Sequence, residues 1–252
     1  MIKKYREIQK FYNAGKRFLT DSFHVNIHNK SIEEMSKSPF RTDVINFLLR
    51  SIGKPETKYL EIGVRNPSDN FSHIHSTTKY GVDPGIEFKQ NPVDFKLTSD
   101  AFFEQMKKGD ILSTTTRFDV IFIDGLHLAE QVERDIQNAL DYITDDGYIV
   151  LHDCNPPSEF HASESHAYKL SPAYGYWNGT TWKAFFKYRQ KKEYYSCCVD
   201  TDWGIGIISK KINLGQSSTV KNPFYEFNVL EKYRNESLNL LSFEDLKKII
   251  EK

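Results

Sequence analysis

The segment FDVIFIDGLHLAEQVERDIQNALDYITDDGYIVLHDCNPP, Phe118 to Pro157, decides the fold. Its first apolar run ends at Asp124 and its second at His152 and Asp153. Between them, residues 128–143 set Val132, Ile136, Ala139, Leu140 and Ile143 on one helical face, with Glu130 and Arg134 paired on the other. A strand, a crossover helix and a second strand in so short a stretch make a parallel pair. Neighbouring parallel strands open their carboxyl ends on the same crevice, so Asp124 is expected to meet His152 and Asp153 there.

Working outward, KYLEIGV (58–64), KYGVDP (79–84) and VDFKLTS (93–99) are further strand-like runs upstream. Downstream, EYYSCCVD (193–200) and GIGIIS (204–209) flank a short turn through Asp200 and Trp203, the pattern of an antiparallel hairpin. The alternation predicts an α/β fold with a central sheet of about seven strands, mostly parallel and ended by the hairpin over 194–209. A helix is expected from near Pro39 to Gly53, another from about Thr181 to Gln190, and a last one in SFEDLKKIIEK at the end of the chain.

Residues 1–38 read as an N-terminal helical extension. Tyr5, Ile8, Phe11, Tyr12 and Leu19 recur there at helical spacing among Lys3, Lys4, Arg6, Lys10, Lys16 and Arg17. Packing of that apolar stripe on the chain's own domain is the expected arrangement, with contact to a membrane surface or a partner as the alternative. Residues 39–210 form the main domain and 211–252 a more polar C-terminal extension. Within the domain, 156–182 is rich in Pro, Ser, Gly, His and Tyr; its Tyr168, Tyr174, Tyr176 and Trp177 suit a lid over a ligand, or else a small packed cluster.

Lys plus Arg and Asp plus Glu both number 34, so no global basic field points to nucleic acid. The longest apolar runs are strand-sized, which excludes a helical membrane span. Cys154, Cys197 and Cys198 form neither a disulfide framework nor a CxxC site, and the first residues lack an apolar signal core, so a cytoplasmic protein is expected. Self-association is left open.

The turn after the first strand, Glu61-Ile-Gly63-Val-Arg65-Asn-Pro67, has one glycine where a dinucleotide site wants G-x-G-x-x-G, which disfavours NAD. Asp83, about twenty residues on, ends the second strand with a carboxylate able to accept both ribose hydroxyls. Alternatively Glu61 and Asp83 are carboxylates at loop edges with no ligand to hold.

The blocks LEIGV (60–64), YGVDP (80–84), TSDAFF (98–103), FDVIFIDGLH (118–127), ERDIQNAL (133–140), GYIVLHDCNPP (147–157), WNGTTWKAF and VDTDWGIGII occur in an order that resembles the class I S-adenosylmethionine-dependent methyltransferases. The resemblance spans about residues 40–210 and is narrowest to a bacterial branch associated with O-methylation of surface glycans and natural products. It implies the Rossmann-like class I fold, S-adenosylmethionine as cofactor, and a sugar or other small hydroxylated acceptor. It also implies that Glu61 and Gly63 floor the methionine end, Asp83 binds the ribose, Ser99 and Asp100 lie by the adenine, and Asp124 faces the sulfonium. Arg65 and Pro67 depart from the family's further glycines. The resemblance therefore also admits an inactive or regulatory binding protein that keeps the fold.

A related group of O-methyltransferases binds a divalent cation at the ends of the fourth and fifth strands. Asp124, Asp153 and Asn155 stand at the corresponding places and would suit Mg²⁺ better than zinc. The candidate catalytic residues are Asp153 and His127. His127 is either a general base for the acceptor hydroxyl or a helix-start residue hydrogen-bonded to Asp153.

Overall fold

A computed structural model describes residues 2–88, 90–166 and 171–251; Tyr168, expected in the lid, lies outside the described residues. Three helices lead the chain: α1 (Ile2–Thr20), α2 (Ser22–Ser36) and α3 (Arg41–Ser51). The strands β1 (Lys58–Ile62), β2 (Thr78–Val82), β3 (Phe118–Ile123) and β4 (Ile143–Leu151) follow, with α4 (Ser99–Lys108) between β2 and β3 and α5 (Ala129–Tyr142) between β3 and β4. After the long loop come α6 (Thr181–Arg189), β5 (Tyr195–Val199) and β6 (Ile205–Ser209). The chain closes with α7 (Phe227–Lys232), α8 (Arg234–Leu238), β7 (Leu240–Leu241) and α9 (Phe243–Ile250).

The seven strands form one sheet in the order β2-β1-β3-β4-β6-β5-β7. β2, β1, β3 and β4 are mutually parallel, β6 is antiparallel to both β4 and β5, and β7 is parallel to β5. The expected α/β fold is therefore present, and the expected hairpin is β5–β6. Strand membership differs in two places. VDFKLTS contributes only the isolated bridge between Val82 and Phe95, because the Asp94 carboxylate accepts from the Gly81 N–H that a neighbouring strand would otherwise take. The missing member is replaced by β7, so the segment read as a C-terminal extension adds the last strand beyond the hairpin.

Period-two alternation explains why the sheet is buried on both faces. Ile121 and Ile123 of β3 point into a core shared with Phe102 and Met106 of α4, Val132 and Ile136 of α5, and Trp182 and Phe185 of α6. Val120 and Phe122 point the other way, onto Val44, Ile45 and Leu48 of α3 and Leu246 of α9. This packing fixes the carboxyl ends of β3 and β4 side by side, with Ile123 opposite Leu151.

One connection departs from the strand–helix alternation, and one helical expectation changes. No full helix links β1 and β2; short 3₁₀ turns at Pro67–Asp69 and Phe71–His73 stand there instead. Pro67 opens the first of them, and the Asn66 side chain caps it through the Ser68 N–H at 3.2 Å. The second change concerns α1, which does not bury its stripe: Tyr5, Ile8, Phe11, Tyr12 and Leu19 are 59–75% exposed.

Candidate active site at the β3 and β4 ends

At the end of β3 the chain turns sharply through Asp124 and Gly125 to His127. Gly63, at the end of β1, has φ 87°, and a Cβ on it would stand 2.3 Å from the Asp124 carbonyl oxygen. A glycine is therefore what lets the two strand ends close together. At the end of β4, Asp153 has φ 61°, a left-handed conformation that costs a non-glycine residue roughly 1 kcal/mol or more. Its backbone is held there because Cys154 and Asn155 donate to the carbonyls of Gly204 and Trp203 at 2.9 Å each. The turn before β6 thus aims Asp153 into the crevice.

Four ionisable side chains meet there, and two more close the cluster. His127 Nδ1 lies 3.0 Å from Asp153 Oδ2 and its Nε2 3.4 Å from Asp124 Oδ1. The Asp153 contact is a charge contact without hydrogen-bond alignment, since Nδ1 makes no hydrogen bond. His152 Nδ1 is 3.2 Å from both Asp124 Oδ1 and Asp153 Oδ2, and its Nε2 is 3.3 Å from Asp202 Oδ1. Arg41, from the first turn of α3, donates through Nη1 to Asp124 at 2.7 Å and through Nε to Asp202 at 3.0 Å. Its Nη1 also lies 3.3 Å from His152 Nδ1.

Burial opposes charge on His127, His152, Asp124 and Asp202, and the opposite charges prevail. His127 is buried, yet Asp153 and Asp124 raise its pKa above the ordinary histidine value. Burial and Arg41 likewise work against a proton on His152, but Asp153 and Asp124 hold its pKa well above the usual value. Burial raises Asp124 while His152, His127 and Arg41 bring it well below the carboxylate range. Asp202, against its own burial, is brought to about 2 by His152 and Arg41.

The long loop covers this cluster. Trp177 stacks on the His127 ring at 5.2 Å with an interplanar angle of 16°, and Asn178 donates to Asp153 Oδ1 at 2.7 Å. Gly179 has φ 62°, and a Cβ there would fall 2.0 Å from the His127 carbonyl oxygen, so the loop backbone rests directly on His127. Thr180 N–H donates to that carbonyl at 2.7 Å. Beside Trp177, a cavity of about 340 Å³ opens between Phe160, Ser163, His166, Ser171 and Tyr176. His161 is a staple: fully buried, it bonds Ser158 at 2.7 Å and Ser31 of α2 at 2.8 Å, and burial brings its pKa down to about 4.

The other expected positions surround the β1 and β2 ends. Glu61 is buried, accepts from Tyr59 Oη at 2.6 Å and Asn70 Nδ2 at 2.8 Å, and burial raises its pKa to about 8. Asp83 accepts from Arg65 N at 2.8 Å and from Gly85 N at 2.6 Å. Ser99 and Asp100 open α4, and both accept from Gln131 of α5 at 3.1 Å.

The Asn155 side chain is engaged with other partners. Its amide donates to Asp200 at 3.0 Å and its oxygen accepts from Arg234 at 2.5 Å. Among the histidine, cysteine and carboxylate side chains of the described residues, the set whose donor atoms lie within 4.8 Å of one another is Asp124, His152 and Asp153. Arg41, Asp202, Trp177 and Asn178 were not singled out as partners of this cluster by sequence. Arg41 and Asp202 are distant from Asp124 along the chain and carry no local signal. Trp177 and Asn178 stand in the block WNGTTWKAF, which ties them to the family but not to His127.

Residues 61–154 match a family model described as a methyltransferase domain. The span from β1 to the end of β4 is thus similar to a methyltransferase domain, and its parallel β2-β1-β3-β4 core with an antiparallel β6 beside β4 is the mostly parallel sheet ended by a hairpin that the sequence led us to expect. Among solved structures, the chain is similar to a putative O-methyltransferase from Klebsiella pneumoniae at 12% identity, covering 75% of this chain and 90% of that one with a TM-score of 0.44. An O-methyltransferase from Bacillus cereus in complex with SAH is 14% identical, with the same coverage of 75% and 90% and a TM-score of 0.41. The MycE methyltransferase of the mycinamycin biosynthetic pathway, in complex with Mg, SAH and mycinamycin VI, is 12% identical over 85% of this chain and 65% of that one, with a TM-score of 0.43. No curated protein sequence matches the chain.

Proposed function

We propose that the chain O-methylates a sugar or another small hydroxylated acceptor, with His127 as the general base and Asp153 orienting it. The observation that carries this reading is the placing of His127. Its ring lies between two carboxylates on one side and the face of Trp177 on the other, and Trp177 in turn forms part of the wall of the loop cavity. Once Trp177 is displaced, an acceptor hydroxyl in that cavity would face an imidazole whose orientation is already fixed, and the neutral form that prevails above its raised pKa would take the proton. Trp177 and Tyr176 offer flat faces to a sugar ring, and the buried Asn178 Oδ1, which has no hydrogen-bond partner among the described residues, suits a hydroxyl donor.

S-Adenosylmethionine supplies an activated methyl group on a sulfonium, so the protein's task is alignment and removal of the hydroxyl proton. The residues at the β1 and β2 ends fit it in part. Glu61 is a buried carboxylate with no cation within salt-bridge distance among the described residues, which suits the ammonium of the methionine end. Asp83 keeps acceptor capacity for ribose hydroxyls beyond its two backbone bonds, and Ser99 and Asp100 remain the candidates beside the adenine.

Mg²⁺ does not fit this arrangement. The guanidinium of Arg41 rests on Asp124 and abuts His152, two of the three candidate ligands, so a positive charge already fills that position. Methyl transfer is therefore assigned to base and alignment without a metal step. A radiolabelled methyl-transfer assay against a panel of sugars and small polyols tests the reading. His127→Ala is expected to lower kcat roughly 10²–10⁴-fold with little change in cofactor affinity. Unchanged kcat in that variant would overturn the base assignment.

One observation favours the second reading, an inactive or regulatory binding protein. The β1–β2 connection is rebuilt as 3₁₀ turns, with the Asp83 carboxylate committed to the backbone of Arg65 and Gly85. Absence of methyl transfer to any acceptor in a chain that still binds S-adenosylhomocysteine supports that alternative.

A further inference from the structure

We propose that α1 is an interfacial anchor that lies in the headgroup plane of an anionic lipid surface. The helix has 19 residues, a length of about 28 Å. Tyr5, Ile8, Tyr12 and Leu19 follow steps of i+3, i+4 and i+7 down one stripe, with Phe11 beside them, and all five are 59–75% exposed. Water-facing apolar stripes of this size are costly unless something covers them. Nothing in the described chain does.

The charges identify what covers it. α1 holds Lys3, Lys4, Arg6, Lys10, Lys16 and Arg17 against the single acid Glu7, although Lys plus Arg and Asp plus Glu balance at 34 each over the whole chain. By helical periodicity Lys3, Arg6, Lys10 and Arg17 fall opposite the stripe, while Lys4 and Lys16 flank it. Lys16 Nζ lies over the Tyr12 ring at 5.1 Å, so its stem follows the apolar surface while its charge stays at the edge. A protein groove over the stripe would leave the far-side cations unanswered. A second copy would set six more cations against these six. A bilayer with anionic headgroups accepts the apolar face among its acyl chains, neutralises the flanking Lys4 and Lys16 at the headgroup level, and attracts the four far-side cations through its negative surface potential, which reaches about a Debye length from the surface. This is surface attachment, since no helix among the described residues is long and apolar enough to cross a membrane.

Flotation of the full chain with vesicles tests the proposal, independently of whether the methyltransfer reading holds. Vesicles of phosphatidylcholine with about one-third phosphatidylserine should bind at least about tenfold more chain than phosphatidylcholine alone, and high salt should abolish the difference. The paired variants Ile8→Glu with Leu19→Glu, and Lys10→Glu with Arg17→Glu, should each reduce binding by about tenfold or more. Their circular dichroism and melting should stay unchanged, because these positions are exposed. No binding to anionic vesicles, or equal binding to both compositions, would overturn the proposal. Self-association in the ultracentrifuge that disappears in Ile8→Glu with Leu19→Glu, without vesicle binding by the wild type, would assign the stripe to a second copy instead.

Discussion

On the proposed reading Arg41 takes the electrostatic place of a metal ion, and the consequence is measurable at one residue. It joins Asp124 on β3 to Asp202 before β6, and both carboxylates lie against His152. Removing the guanidinium leaves two partly or fully buried carboxylates short of a counter-charge. Because Arg41 keeps 26% side-chain exposure, the cost is set below that of a fully buried pair. Arg41→Ala is expected to lower unfolding stability by about 2–3 kcal/mol in urea titration. The wild type should show no Mn²⁺ site by electron paramagnetic resonance and should keep its activity in a chelator. A tight Mn²⁺ signal in the wild type would reverse the assignment. Glu61 gives a second test at this scale. Its folded pKa of about 8 stands above the ordinary value of 4.5, so its contribution is fully present below about pH 4.5 and is lost as pH rises toward 8. The wild type should lose melting temperature between pH 5 and pH 9, and Glu61→Gln, which still accepts from Tyr59 and Asn70, should lose less. Parallel pH profiles would show that Glu61 ionises without strain.

Among elements, the strands at the centre of the sheet were legible because each is a run of β-branched and aromatic residues buried on both faces. KYLEIGV, FDVIFID and GYIVLHD became β1, β3 and β4, although β4 starts earlier, at Ile143. VDFKLTS has the same look but only one bridge, since a side chain competes for the ladder and sequence pattern does not report such competition. Helix α2 falls within the segment 1–38 read as a helical extension, but it was not delimited as a helix of its own. Its SFHVNIHNKSIEEMS buries only Ile27, Ser31 and Glu34, so no apolar stripe announces it, and the Asp21 cap is a weak local cue. The loop's shape was equally hidden, because it depends on His161 joining Ser158 to Ser31 across 130 residues. His161→Ala should cost roughly 2 kcal/mol through the cavity and the two stranded hydroxyls, and should speed proteolysis within 156–180. An unchanged cleavage rate would mean the loop is held by its aromatic contacts alone.

For the whole molecule, a mostly parallel sheet and the acidic crevice followed from alternation of β and α units, as did the meeting of Asp124 with Asp153. What alternation did not disclose was which charges compensate the crevice, because Arg41 and Asp202 come from outside the β3–α5–β4 unit that defines it. Nor did amphipathic spacing reveal whether α1 is covered, since periodicity gives a face and not its partner. The central claim is that the strand ends bearing Glu61, Gly63, Asp83 and Asp124 hold S-adenosylmethionine without help from a metal. Titration calorimetry of the wild-type chain with S-adenosylhomocysteine, with and without chelator, tests it most directly. Saturable stoichiometric binding that is indifferent to chelator and weakened in Asp83→Ala is expected, and a folded chain giving no saturable heat, or binding only when a divalent cation is added, would contradict it.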